Sequence, residues 1–169
     1  MSNSFEIINR IRLILDNVNE KDRISIHEPC FLNSNAKKYV NECIETGWVS
    51  SSGDWVLKFE KLISDFTGSK YVIAVSNGTD ALRLSLYLAG VKPNDEVIMP
   101  PLTFVATANA VAHLGASPHF VDIEPQSLGI SPNALQKRLD EVSIIKNGQV
   151  FNRFSGNRIA AVVPVHVFG

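Results

Sequence analysis

The run YVIAVSNGTDALRLSLYLAG, Tyr71–Gly90, decides how this chain is built. Tyr71, Val72, Ile73, Ala74 and Val75 read as a buried strand, and the strand stops at Ser76-Asn77-Gly78-Thr79-Asp80. A helix-like segment begins there at once and is closed by Gly90. A strand, a tight seam and a helix make the first half of a βαβ unit.

Downstream the same rhythm repeats. DEVIMP is a strand stopped by Pro100 and Pro101, and TFVATANAVAHLG is a helix closed by Gly115. SPHFVDI is a strand, after which Ser131 and Pro132 form an N-cap and first-turn pair opening the helix PNALQKRLDEV. NGQVFNRFSGN is a polar loop or a short hairpin, and RIAAVVPVHVFG is a last strand running to the terminus. Upstream, Ile7, Ile8, Ile11, Leu13, Ile14 and Leu15 predict an N-terminal amphipathic helix, followed by the irregular stretch RISIHEPCFLNSN. A helix from about Ala36 to Glu45 ends at Gly47; WVSSSGD is a loop; and Ser52 or Asp54 is a candidate cap for the helix WVLKFEKLISDF. Near-continuous apolar strands alternating with helices predict an α/β fold: three layers, with a mainly parallel sheet covered on both faces.

With 169 residues, 45% of them hydrophobic, the chain has enough apolar mass for a core. A net charge of −1 with scattered basic residues excludes a dedicated nucleic-acid surface. Cys30 and Cys43 form no CxxC and no metal-ligand spacing, so a reducing cytosol is the default and no metal site is expected. No segment approaches the roughly 20 apolar residues of a membrane span, and the polar N-terminus is unlike a secretory signal.

In open α/β sheets, ligands sit beyond the carboxyl ends of the strands. The seam at Ser76–Asp80 is such an end, and the helix start after it offers unpaired N–H groups and a partial positive charge. Gly78 lacks the Cβ that would hold an anion off, and Thr79 adds a hydroxyl, so the segment reads as a cradle for one phosphate monoester. The alternative is a plain strand–helix turn, with Gly78 relieving φ and Thr79 capping. Neither GxxxxGK[ST] nor GxGxxG is present, which leaves Walker-type and dinucleotide sites unsupported. Phe104 follows the next strand, where an aromatic side chain can stack on a flat ring; in isolation it reads first as a core residue on an apolar helix face. One phosphate together with one flat ring describes pyridoxal 5′-phosphate.

Four blocks carry a resemblance: GWVSSSGDWVLKFEKLISDFTGSKYVIAVSNGTDALRLSLYLAG, DEVIMPPLTFVATANAV, GASPHFVDIEPQSLGI and AAVVPVHVFG. In this order they resemble the N-terminal half of the DegT/DnrJ/StrS sugar aminotransferases, nearest the legionaminic acid-type and perosamine synthase-like subgroup. The resemblance implies the aspartate aminotransferase fold, with pyridoxal phosphate as cofactor. It also implies amino transfer from glutamate to a 4-keto nucleotide sugar in surface-polysaccharide or nonulosonic acid synthesis, by a cytoplasmic homodimer. By position, Gly78, Thr79 and the backbone of Asp80 match the phosphate-holding segment, and Phe104 matches the aromatic stacked on the pyridine ring. The loop Ser50–Gly53 lies in a region near the active site, without a defined role. His166 follows a strand end and reads as site-facing or structural.

The family's Schiff-base lysine and its pyridine-nitrogen carboxylate fall beyond Gly169. The expected arrangement is therefore a helix and irregular arm over residues 1–34, then an incomplete cofactor-binding large domain over 35–169, inactive on its own. A non-catalytic binding or assembly partner is the alternative.

Overall fold

The computed structural model describes residues 6, 8–13 and 31–167. Ile7, Ile14 and Leu15 of the expected N-terminal helix and the irregular stretch up to Cys30 lie outside the described residues, as do Phe168 and Gly169. Residue 6 and residues 8–13 are helical. The chain separates into two compact units, residues 1–58 and 59–169.

In the first unit, α1 (Ala36–Thr46) closes as expected on Gly47, whose φ of 76° is the left-handed cap that glycine adopts without a Cβ penalty. The Tyr39 and Trp55 rings meet with centroids 4.2 Å apart, and the Lys58 ammonium lies 4.3 Å from the Trp55 ring. Helix α2 (Asp54–Thr67) starts from the Gly53 carbonyl, which accepts from the Val56 and Leu57 amides. Neither Ser52 nor Asp54 caps it through a side chain; Asp54 sits in the first turn, where its charge suits the helix dipole.

The second unit is organised by β1 (Glu96–Met99), whose four residues are all buried. It lies between two parallel neighbours, β2 (Ser117–Phe120) and the last strand, Ile159–Val162. Helices α3 (Gly78–Leu88) and α4 (Val105–Ala112) pack on each other. Leu86 from α3 and Ala110 and Val111 from α4 join Val97 and Met99 in one buried cluster. A strand buried on both faces reads as an uninterrupted apolar run, as Val97-Ile98-Met99 does.

Helix α5 (Pro132–Val142) opens as expected, the Ser131 hydroxyl accepting from the Ala134 amide at 3.2 Å and Pro132 standing in the first turn. The polar stretch after it is a hairpin, β3 (Ser143–Lys146) paired antiparallel with β4 (Gln149–Asn152). Asn147 and Gly148 make its two-residue turn with φ of 52° and 74°, the pairing that a right-twisted two-residue hairpin demands. Ile159–Val162 is therefore β5.

Two strand expectations are corrected. Residues 71–75 form no regular element and join no ladder among the described residues. A strand exists only where a neighbour supplies partners for its backbone, and β-propensity by itself provides none. Here the Ala74 N–H donates instead to the Glu60 carboxylate at 2.8 Å, while Tyr71 and Ile73 are 78% and 75% exposed. The last strand also stops at Val162 short of the terminus; Pro164 follows closely and has no N–H for a ladder.

Buried among the apolar side chains of β1 is the Glu96 carboxylate. It accepts from Asn152 Nδ2 at 3.0 Å, from the Ser155 hydroxyl, and from His119 Nδ1 at 2.7 Å. The Arg138 Nε–H donates to His119 Nε2 at 2.9 Å, and because arginine can only donate, the imidazole must be neutral with its proton on Nδ1. Burial alone would raise the Glu96 carboxyl, but the hydrogen bonds from Asn152, Ser155 and His119 outweigh it and hold the group below the ordinary glutamate range. Glu96 thus fastens β2 and the hairpin to the head of β1.

A group depressed in the folded state stabilises it above the unfolded-state value and loses that contribution as pH falls through the folded one. Glu96→Gln is expected to cost about 1.5–3 kcal/mol in urea denaturation at pH 7. It should also flatten the acid limb of stability below the ordinary glutamate range; an unchanged acid limb would remove Glu96 from this role.

Candidate cofactor-binding site

The seam that opened the sequence reading folds as a capped helix start. Asn77 is the N-cap of α3, in extended conformation, and its Oδ1 accepts from the Asp80 amide at 2.9 Å. The Asp80 carboxylate answers by accepting from Asn77 Nδ2 at 3.0 Å and from the Ser76 hydroxyl at 2.9 Å, with Arg83 at 3.3 Å. The Ser76 hydrogen bond foremost, with those from Asn77 and Arg83, holds the Asp80 carboxyl below its ordinary range, so it stays ionised and engaged.

This leaves two helix-start N–H groups, those of Gly78 and Thr79, with no acceptor among the described residues; the Thr79 hydroxyl is unpartnered there too. The Asp80 amide, matched by the resemblance to the phosphate-holding segment, is occupied by Asn77 in this structure. Gly78 is not in the left-handed region, and a Cβ built on it meets nothing within 4 Å. The turn therefore needs no glycine for conformation or for room, which removes the reading in which Gly78 relieves φ. A Cβ there would enter open space, and the Gly78 and Thr79 amides have no acceptor among the described residues; a helix start of this kind can receive an anion. The residues present fit a phosphate monoester.

Phe104 follows the carboxyl end of β1 after the buried Pro100, at the N-cap of α4. It is 78% exposed, so the core reading of this ring fails. An N-cap is usually a short polar residue that binds a helix N–H; Phe104 makes no such bond and presents a bare aromatic face instead.

Other candidates are less engaged. His166 is exposed, four residues beyond β5, with no hydrogen bond among the described residues. In the Ser50–Gly53 loop, the Ser50 hydroxyl lies 3.3 Å from the Ser52 carbonyl, a local turn contact. Lys61 pairs with Asp65 at 3.0 Å, and Lys137 is exposed on α5, as their helical positions predicted. Among the described residues no cluster of His, Cys, Asp and Glu could hold a metal, and no helix is long and apolar enough to cross a membrane. The sequence reading did not anticipate Asn77 as the clamp on Asp80; its position just before a helix start, three residues from an acidic one, was the available signal.

An α/β fold with two open helix-start amides and an exposed aromatic past the carboxyl end of β1 is compatible with the class of proteins that bind a phosphate ester carrying a flat ring. Comparison with known proteins narrows it: residues 31–169 match the DegT/DnrJ/EryC1/StrS aminotransferase family, and the chain belongs to that family. It is 38% identical over 147 residues to a GDP-perosamine synthase of Caulobacter vibrioides, covering 87% of this chain and 35% of that protein. Among solved structures it resembles NtdA of Bacillus subtilis with bound cofactor PMP (32% identity, TM-score 0.62, 89% of this chain and 33% of that one). It also resembles a DegT DnrJ EryC1 StrS aminotransferase of Brucella abortus (29% identity, TM-score 0.65, 85% of this chain and 38% of that one). The chain spans about a third of the length of such relatives.

Gly78→Ala separates structure from binding. Alanine is the better helix former, so stability should hold or rise by up to about 1 kcal/mol. Affinity for pyridoxamine 5′-phosphate should fall about tenfold as the methyl group enters the cradle. Unchanged affinity would place the ester elsewhere.

Proposed function

We propose that this chain is the N-terminal, cofactor-binding portion of a pyridoxal phosphate-dependent aminotransferase. It serves amino transfer from glutamate to a 4-keto nucleotide sugar, in the making of a surface polysaccharide or a nonulosonic acid. The observation that carries the reading is the pairing of free Gly78 and Thr79 amides with an exposed Phe104 ring, within a family of aminotransferases. Similarity to a perosamine synthase and to a PMP-bound relative supports the sugar class and the cofactor.

In this reading the two amides and the Thr79 hydroxyl receive the phosphate. The exposed Phe104 ring would stack on the pyridine ring and shield it from water. Asn77 holds the Asp80 carboxylate so that its charge stays paired with Ser76 and Arg83 beside the incoming anion. When bound, pyridoxal phosphate supplies an electron sink that lets an amino group move between carbon atoms. The reading gives no residue of this chain the role of the lysine that bonds the cofactor or of the carboxylate on the pyridine nitrogen, and expects the chain to bind without turning over. Residues 35–169 form part of the cofactor-binding large domain. The working enzyme is a cytoplasmic homodimer.

A second reading is a non-catalytic assembly partner, favoured by exposed apolar side chains such as Phe66 at 90%, Tyr71 and Ile73. Titrations with pyridoxamine 5′-phosphate and with glycerol phosphate separate the two. The cofactor reading expects about tenfold preference for the aromatic ester, abolished by Phe104→Ala. Equal affinities for the two esters would overturn it.

A further inference from the structure

Phe104 occupies a helix start, a place whose side chain normally binds a backbone N–H; no side chain does so here, and two threonines engage the Phe104 carbonyl instead. The Phe104 carbonyl accepts from the Thr107 amide at 3.0 Å and lies 3.3 Å from the Thr103 hydroxyl. The Thr103 hydroxyl is in turn 2.7 Å from the Thr107 hydroxyl. Thr107 is one of the few buried polar residues, 6% exposed, on the first turn of α4 beside the buried Ala110 and Val111. One proton order serves every group: Thr107 donates to Thr103, and Thr103 donates to the Phe104 carbonyl.

Burying a hydroxyl costs free energy unless it is bonded, so this one is kept where its bond acts on something. What it acts on is a residue whose 78% exposed ring has no aromatic neighbour among the described residues. An exposed phenylalanine held only by its backbone depends on that backbone for the direction of its Cα–Cβ bond. The hydroxyl pair grips the backbone atom adjoining that bond.

We infer that Thr107, acting through Thr103, is a positioning residue that sets the direction from which the Phe104 ring meets a flat heteroaromatic ligand. The inference rests on the cofactor reading of the site, and it adds a residue which touches neither the ester nor the ring. Thr107 does not take part in the chemistry; it fixes a stacking geometry in advance, so the ligand need not order the ring on binding.

The test uses the whole chain and pyridoxamine 5′-phosphate, an amine that forms no adducts with surface lysines, with inorganic phosphate as the ring-less probe. Thr107→Val keeps the buried volume and removes the hydroxyl. It should weaken binding of the aromatic ester about fivefold and leave phosphate binding unchanged. Thr107→Ser restores the hydroxyl and should restore the affinity. In a Phe104→Ala background, Thr107→Val should have no further effect, because the ring through which it acts is gone.

An unchanged affinity in Thr107→Val overturns the inference. So does an equal loss for both probes, or an equal loss with and without the Phe104 ring, since those are marks of general loosening of α4. Failure of the cofactor reading has a separate signature, namely a wild-type chain that binds the two probes alike and ignores Phe104→Ala; the inference then falls with it.

Discussion

Strand β1 has all four of its residues buried, and the first of them is a carboxylate. The rest of the second unit follows from how that is made tolerable. An unpaired buried charge is too costly for a domain of marginal stability, so three side chains converge on Glu96: His119 from β2, Asn152 from β4, and Ser155 from the loop beyond. Arg138 from α5 then sets the tautomer of His119. Beside it, Arg158 donates to both oxygens of Asp95 and to the Gly90 carbonyl, tying the start of β5 to the turns that precede β1. The carboxylates at the head of the strand thus hold elements far apart in sequence, while Val97, Ile98 and Met99 supply the apolar burial.

This divides β1 by task. Its amino end carries the saturated polar hub, in which every carboxylate oxygen is engaged. Its carboxyl end runs through the two prolines to Phe104, where a side chain is left bare. In an α/β sheet, ligands gather at the carboxyl ends of strands, so the polar hub and the proposed binding end lie at opposite ends of one four-residue element. The α3 start shows the same economy: Asn77 and Asp80 satisfy each other, and Gly78 and Thr79 are left with free amides.

Helices were the most legible part of the sequence. Their caps are local chemistry, as Gly47 at the end of α1 and Ser131-Pro132 at the start of α5 show. The run DEVIMP revealed β1 because a doubly buried strand needs continuous apolar residues. Tyr71–Val75 looked as good, yet whether such a run becomes a strand depends on a partner, which its own residues do not encode. Gly78, Thr79 and Phe104 stand out as candidates because a glycine and a hydroxyl open a helix and an aromatic follows a strand end. Glu96, His119 and Arg138 could not be connected from sequence: the contacts span up to several tens of residues, and an acidic residue at a strand start ordinarily reads as solvated. Thr107 was hidden for a similar reason, as a threonine among alanines on a helix carries no mark of what its hydroxyl touches.

The hydrogen bond from Ala74 to Glu60 bears on how the molecule behaves among its own copies. An extended run of apolar residues with open amides invites another chain to add a strand, which is how soluble proteins turn into fibrils. By occupying an amide in the middle of that run, the Glu60 carboxylate interrupts the row of donors and sets a negative charge along the path of approach. A side chain of α2 thus leaves that run one donor fewer for an added strand.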